Sequence, residues 1–351
     1  MKKNDVVIVS YSRTPIGSFG GNLSSIEATK LGSIAIKGAL EKIELSLENV
    51  DQVIMGNVLS AGLGQAPARQ AAIYSGLPES VECLTVNKMC GSGLKAIMLA
   101  QEAILSGNAD VVIAGGMENM SRSPHLLKNS RTGHKMGDSR LVDSMIYDGL
   151  WDIYNDKHMG NCGEMCAEKY KFSRLEQDEF AKNSYIKSQR AINENIFDNE
   201  ICLVEVPKRK DVVIIKQDEE PFRVKFDKIE SLRSAFKKDG TITAANASSI
   251  NDGAAVCIVM SASKAQELNI KPIAKILSQV STAHSPEWFT TAPIKAIKEA
   301  VYRANLDISD IDLFEINEAF AAQSIAVIRD LGIQKEKVNV NGGAIALGHP
   351  I

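Results

Sequence analysis

Val86-Asn87-Lys88-Met89-Cys90-Gly91-Ser92-Gly93-Leu94-Lys95 sets a cysteine where a short β-strand should give way to a helix. Leu84 to Val86 reads as the end of a buried strand, and Leu94, Ile97, Met98 and Ala100 give the apolar period of the helix that follows. A cysteine at that junction faces the free N–H groups of the helix start, whose partial positive charge favours thiolate over thiol. The small residues Gly91, Ser92 and Gly93 leave room for a substrate and for backbone donors beside the sulfur. The alternative is a structural cysteine packed into a tight turn.

The far end of the chain bears on that choice. Asn339-Val340-Asn341-Gly342-Gly343-Ala344-Ile345-Ala346-Leu347-Gly348-His349-Pro350 is a second glycine-rich stretch after a strand, and it ends in a histidine. A cysteine and a histidine at two such turns are the parts of a Cys–His nucleophile pair. The two regions also read as copies. Ala35-Ile36-Lys37 recurs as Ala296-Ile297-Lys298, and Asp51-Gln52-Val53-Ile54 aligns with Asp312-Leu313-Phe314-Glu315 at the same offset of 261. The matching order of elements, more than the few identities, carries the duplication. Pseudo-twofold symmetry would then bring Cys90 and His349 to equivalent, facing helix starts.

On these segments the sequence resembles the thiolase family, and within it the biosynthetic acetyl-CoA acetyltransferases. The likeness includes Tyr11-Ser12-Arg13-Thr14-Pro15-Ile16-Gly17, Gly115-Gly116-Met117-Glu118-Asn119-Met120-Ser121 and His158-Met159-Gly160. It continues through Asn246-Ala247-Ser248-Ser249-Ile250-Asn251-Asp252-Gly253-Ala254 and Asn317-Glu318-Ala319-Phe320-Ala321. The resemblance implies an α/β protein of duplicated, five-layered αβαβα architecture with an inserted loop subdomain. It divides the chain into an N-terminal half over 1–119, an inserted CoA-binding loop subdomain over 120–245, the last strand or strands of the N-terminal half over 246–268, and an incomplete C-terminal half over 269–351.

Composition agrees with an ordinary soluble enzyme. The 351 residues are 44% hydrophobic and 24% charged, enough for a large core of one or two packed units. A net charge of −3 gives no attraction to nucleic acid or membrane, and no apolar run approaches a membrane span. Met1-Lys2-Lys3-Asn4-Asp5 leads almost at once into a strand, with no room read for a signal or transit peptide, and a cytoplasmic location is expected. Six scattered cysteines are expected to be reduced thiols, with Cys162 and Cys166 as packing residues and no metal site.

Strands are expected at 5–11, 52–58, 84–87 and 111–115, with helices around 25–43, 66–76 and 92–106, giving a mostly parallel sheet covered on both faces. Residues 120–245 break the alternation and hold one clear helix, opened by the Ser173-Arg174-Leu175-Glu176 capping box. Lys208-Arg209-Lys210 reads as a solvated turn, with a phosphate clamp as the alternative. The alternation resumes with strands over 252–260, 273–280 and 312–316 and helices over 293–305 and 319–331.

The resemblance also implies a chemistry. Cys90 attacks the thioester of one acetyl-CoA and His349 takes up its proton. The enolate of a second acetyl-CoA, its oxygen held by His349 and a water on Asn317, then attacks the acetyl-enzyme to give acetoacetyl-CoA and CoA. No cofactor is implied, the coenzyme A thioesters being substrates. His158 and Met159 are expected near the acyl end, with Ser248 near the pantetheine and Ala244 and Ile250 on its apolar wall. Ala319 and Phe320 join them, and Arg223 lies at the adenine–phosphate end. A homodimer or homotetramer is expected. The family's second cysteine, in a Cys-x-Gly motif that supplies the carbon base, does not occur in these 351 residues. The sequence as given is therefore expected to acylate Cys90 slowly and condense little, as a truncated form of a longer enzyme. A 3-ketoacyl-CoA thiolase of broader chain length and a non-catalytic CoA-binding or assembly protein are the alternative readings.

Overall fold

A computed structural model describes residues 5–351; the lead-in Met1-Lys2-Lys3-Asn4 lies outside the described residues. The main sheet contains β1 (Val6–Arg13), β2 (Gln52–Gly56), β3 (Glu82–Val86), β4 (Val111–Asn119), β5 (Asn251–Ser261) and β6 (Ala274–Lys275). Their order is β6-β1-β5-β4-β2-β3, and the two residues Gly17–Ser18 pair with the start of β5. Strands β4, β2 and β3 run parallel. Strand β5 runs antiparallel to both β4 and β1, which corrects the expectation of a mostly parallel sheet. The cause is topological. Asp252 lies opposite Asn119, so β4, the insertion and β5 form one very long hairpin with no crossover helix to reverse the returning strand.

The side-chain alternation of the strands sorts the core into two layers. Val53, Met55 and Ile113 face α1 (Ala28–Glu41) and α2 (Pro67–Tyr74), where they pack with Leu31, Ala35 and Ile36. Ile54, Val112 and Ala114 face the other way, onto Ala96, Ala100 and Ile104 of α3 (Ser92–Leu105). Each large aliphatic side chain so buried contributes about 2 kcal/mol. Strand β4 reads as a near-continuous apolar run because both of its faces are covered.

Two expectations around Cys90 need correction. Strand β3 is the sheet edge, not a buried strand, and Leu84 is 49% exposed. Helix α3 buries the Ala96–Ala100–Ile104 face, while Leu94 is 68% exposed. The start of α3 lies directly on the end of β2. A Cβ at Gly56 would stand 2.7 Å from Gly93 N and Ser92 Cβ, so only glycine there admits the turn that presents Cys90.

The insertion holds two long helices rather than one. Helix α5 (Arg174–Asn193) has both arms of the Ser173–Glu176 capping box. Helix α4 (Met159–Tyr170) escapes a periodicity reading because it buries Gly160, Cys162, Gly163, Cys166 and Ala167, a face of small residues. Cys162 and Cys166 are wholly buried in it. Lys208, Arg209 and Lys210 are exposed at the turn between the short strands Val204–Pro207 and Val212–Ile215.

In the second half, α6 (Ala292–Arg303) and α7 (Ala321–Leu331) follow the expected order. The 3₁₀ turn at Leu47–Asn49 recurs at Ile308–Asp310, at the offset of the internal repeat. The expected strands are shorter than read. Residues 273–280 contribute only Ala274–Lys275, which joins β1, and 312–316 contributes one parallel bridge, Phe314 to Val338. A lone pair without flanking strands sustains little ladder.

Candidate active site

Cys90 is held by its own turn. Met89 takes the left-handed conformation (φ 51°), folding the chain sharply between β3 and α3. Lys88 N donates to Ser92 Oγ (2.8 Å), Ser92 Oγ donates to Met89 O (2.6 Å), and Met89 N donates to Asn87 Oδ1 (3.0 Å). Gly91 is the N-cap of α3, so Cys90 stands one residue before the cap and two before the first helical residue. Its side chain is accessible from a cavity, yet the surrounding protein desolvates the sulfur enough to push the thiol up to about 11. A backbone hydrogen bond pulls the other way and is the smaller effect. Desolvation thus pushes the thiol in the direction opposite to the one expected from the helix start.

His349 is held from far away in sequence. Its N–H donates to Asn251 Oδ1 (2.8 Å), and Ile250 bridges to it in parallel. The preceding Gly348 has φ 113°, which no L side chain adopts readily. Burial lowers the ring to about 4, so it is a neutral base at physiological pH. Asn317 Nδ2 lies 3.3 Å from His349 Nε2. With the amide donating, the ring proton sits on Nδ1 and Nε2 carries the lone pair.

Cys90, Asn317 and His349 line one cavity of about 570 Å³. The structure thus brings together the three residues expected at the reacting centre. Glu118 lines it too and was not singled out in the sequence. Its carboxyl accepts from Asn57 Nδ2 (2.8 Å) and Val58 N (2.8 Å), and desolvation raises it to about 8 despite those donors. The available signal was an acidic residue at the end of an otherwise apolar strand, in the segment Gly115–Ser121.

The residues expected around coenzyme A separate into two sets. His158 is the N-cap of α4, accepting from Gly160 N (3.0 Å), and burial lowers its ring pKa. Its ring stacks on Phe236 (4.8 Å between centroids), which meets Phe320 edge-on (6.2 Å). Met159 and Ala319 pack on the same cluster with Phe289. Ser248 N and Oγ both donate to Ala319 O (3.0 and 3.2 Å). His158, Met159, Ser248, Ala319 and Phe320 are therefore assembled.

The others are placed differently. Ala244 is exposed in the loop before Ser248. Ile250 is partly buried against Val58, Leu59, Met120 and Met145, and its backbone bridges to His349. Arg223 has a 60% exposed side chain whose nearest acid is Glu220, at 3.8 Å. Phe236, followed by Lys237-Lys238-Asp239, and Phe289, in a short 3₁₀ turn beside Trp288, leave no periodic signal in the sequence.

The cysteine turn and the histidine turn on one cavity define the protein class. The chain belongs to the thiolase family: the profile for the thiolase N-terminal domain matches residues 6–263 and that for the C-terminal domain residues 270–351. It is similar to the acetyl-CoA acetyltransferase of Cupriavidus necator, 53% identical over 99% of this chain and 89% of that protein. A Schizosaccharomyces pombe protein of the same name is 49% identical over 100% of this chain and 89% of its own length. Among solved structures, Acat5 thiolase from Ascaris suum in complex with coenzyme A superposes with a TM-score of 0.94 at 43% identity, over 99% of this chain and 89% of that one. Among the described residues no helix is long and apolar enough to cross a membrane.

Proposed function

We propose that the chain is an acetyl-CoA C-acetyltransferase that works through an acetyl-cysteine at Cys90. The carrying observation is that Cys90, Asn317 and His349 line one cavity in a chain of this family. The Cys90 thiol gives its proton to His349 Nε2 as sulfur attacks the thioester carbonyl of acetyl-CoA. The tetrahedral intermediate collapses to S-acetyl-Cys90, and the departing coenzyme A thiolate takes the proton back as free thiol. A thiol held near 11 and an imidazole held near 4 start this step as a neutral pair. The proton therefore moves as the new bond forms, which is general-base catalysis and not prior ionisation. The Cys90 N–H, at the opening of α3, is a donor for the carbonyl oxygen as it becomes negative. In the condensation, Asn317 beside His349 serves the enolate oxygen of the second acetyl-CoA; the base that takes its methyl proton, which the family carries in a Cys-x-Gly motif, is not among these 351 residues, so the step this chain's own residues carry is acetyl transfer to and from Cys90.

His158, Met159, Ser248, Ala319 and Phe320 guide the pantetheine, and no cofactor takes part. The chain acts in the cytoplasm as a homodimer or homotetramer. The apolar Leu84 on the edge strand and Leu94 beside it, both exposed in the single chain, favour such assembly. A broader acyl range is the second reading, favoured by a Staphylococcus epidermidis relative, 54% identical, named a probable acetyl-CoA acyltransferase.

The test is incubation with acetyl-CoA, following CoA release and the acetyl group on the Cys90 peptide by mass spectrometry. Stoichiometric acetylation, absent in Cys90→Ala, is the expected result. Acetylation elsewhere, or none in folded protein, rejects the reading. Repeating it with longer acyl-CoA thioesters separates the two acyl ranges.

A further inference from the structure

We propose that Asn251 is the positioning residue for His349. The inference rests on the acyl-transfer reading above. Asn251 opens β5 and is wholly buried. Its Oδ1 accepts from His349 N (2.8 Å) and from Ser249 Oγ (2.8 Å), while its Nδ2 donates to Gly17 O (3.0 Å). The carboxamide thus ties the histidine backbone to the main sheet, where Asn251 itself pairs with Ser18. It is also wedged against the preceding residue, since a Cβ at Gly348 would stand 2.5 Å from Asn251 Cγ and 2.6 Å from both its polar atoms.

The consequence for the ring is direct. The hydrogen bond from His349 N fixes the peptide plane entering the residue. Pro350 restricts the backbone on the other side, and its ring packs over Gly253 of the same strand. With both flanks held by the start of β5, only the side-chain torsions of His349 remain to be set, and Asn317 meets the ring at 3.3 Å. Asn251 touches neither substrate nor sulfur in this account. It acts through His349, by holding Nε2 where the Cys90 proton can reach it, and small misplacements of such a group are costly.

The experiment compares wild type, Asn251→Ala, Asn251→Asp, His349→Ala and Cys90→Ala in single-turnover acetylation by acetyl-CoA. Maximal rate, half-saturating acetyl-CoA and the dependence on pH are recorded, with circular dichroism and thermal melting as controls for folding. For folded Asn251→Ala the maximal rate should fall about 100-fold, with half-saturation nearly unchanged. Its acid limb should move from near 4 toward the ordinary histidine value of 6.5, because a released ring regains solvent. Asn251→Asp keeps an acceptor for His349 N but loses the donor to Gly17 O, and should recover part of the rate, above Asn251→Ala.

A folded Asn251→Ala with the wild-type rate and acid limb would overturn the proposal. If Asn251→Ala does not fold, folded Asn251→Asp decides: a rate between wild type and His349→Ala with half-saturation nearly unchanged upholds the role, and either the full wild-type rate or a loss as deep as in His349→Ala overturns it. Acetylation persisting in Cys90→Ala would sink the acyl-transfer reading itself, which the Asn251 variants alone cannot do.

Discussion

The two turns that meet in the cavity are built in opposite ways. The backbone turn and hydrogen bonds that shape the Cys90 site lie between Asn87 and Ser92, namely the left-handed Met89, the Ser92 hydroxyl bridging Lys88 N and Met89 O, and the helix start at Ser92, with the bare Gly56 of β2 as the one distant requirement. The His349 turn is shaped by residues far away in the chain. Asn251 holds its backbone, and Glu318 receives Ile345 N (3.2 Å) while bonded to Asn339 and Ser184. A local turn forms whenever its strand and helix form. A turn assembled from distant elements exists only once the whole fold is in place, so its failure modes are those of the fold.

The most severe test of that contrast removes the long-range side. His349→Ala should slow acetylation of Cys90 by about 10²- to 10⁴-fold, the span of a lost general base, while leaving the local cysteine turn intact. Rapid acetylation in the folded variant would mean that the cysteine turn activates its own thiol. The same question can be asked of the intact protein by pH. Because burial holds the Cys90 thiol near 11, its alkylation by iodoacetamide should climb about tenfold per pH unit from neutrality toward that value, following the thiolate fraction. A plateau near neutral pH would instead show that the helix start wins over burial, as the sequence alone suggested.

The same division explains what could be read in the sequence. The three parallel strands, the flanking helices and the junction that carries Cys90 were legible because short-range patterns encode them: short apolar strand runs, apolar helix faces and a glycine-rich turn. The Ser173–Glu176 capping box was legible for the same reason. The antiparallel return of β5 was not, since direction is decided by where the chain leaves the insertion. Helix α4 was hidden by a buried face of glycine and cysteine. The aromatic stack of His158, Phe236 and Phe320 joins residues with no mutual period, and the packing of Ile250 against Val58, Leu59, Met120 and Met145 joins residues far apart in the chain. The desolvation of the Cys90 sulfur was not legible either, because helix placement is local and desolvation is a property of the assembled fold.

A smaller effect is expected from stressing the histidine turn without removing the histidine. Gly348→Ala forces a side chain onto φ 113° and drives Cβ into the Asn251 carboxamide. The backbone strain alone should cost about 1–3 kcal/mol in chemical denaturation. Acetylation should slow as well, because relief of the clash moves the group that holds His349 N. A stability loss with an unchanged acetylation rate would show that the ring tolerates a displaced Asn251.

The mildest change tests the cysteine turn itself. Met89→Gly relieves a left-handed conformation costing about 1–2 kcal/mol in an L residue, but returns about 0.5–1 kcal/mol through the freer unfolded chain. The net should be a gain of about 0.5 kcal/mol in denaturation, with the acetylation rate little altered because the Ser92 bridges persist. Met89 is 42% exposed and its side chain lines the cavity, so glycine also removes a wall of the acyl site. If stability rises as expected while half-saturating acetyl-CoA increases severalfold, the turn is local in its folding and Met89 contributes to substrate contact. If stability falls, the Met89 side chain contributes packing that outweighs its backbone strain, and the cysteine turn is less self-contained than its hydrogen bonds make it.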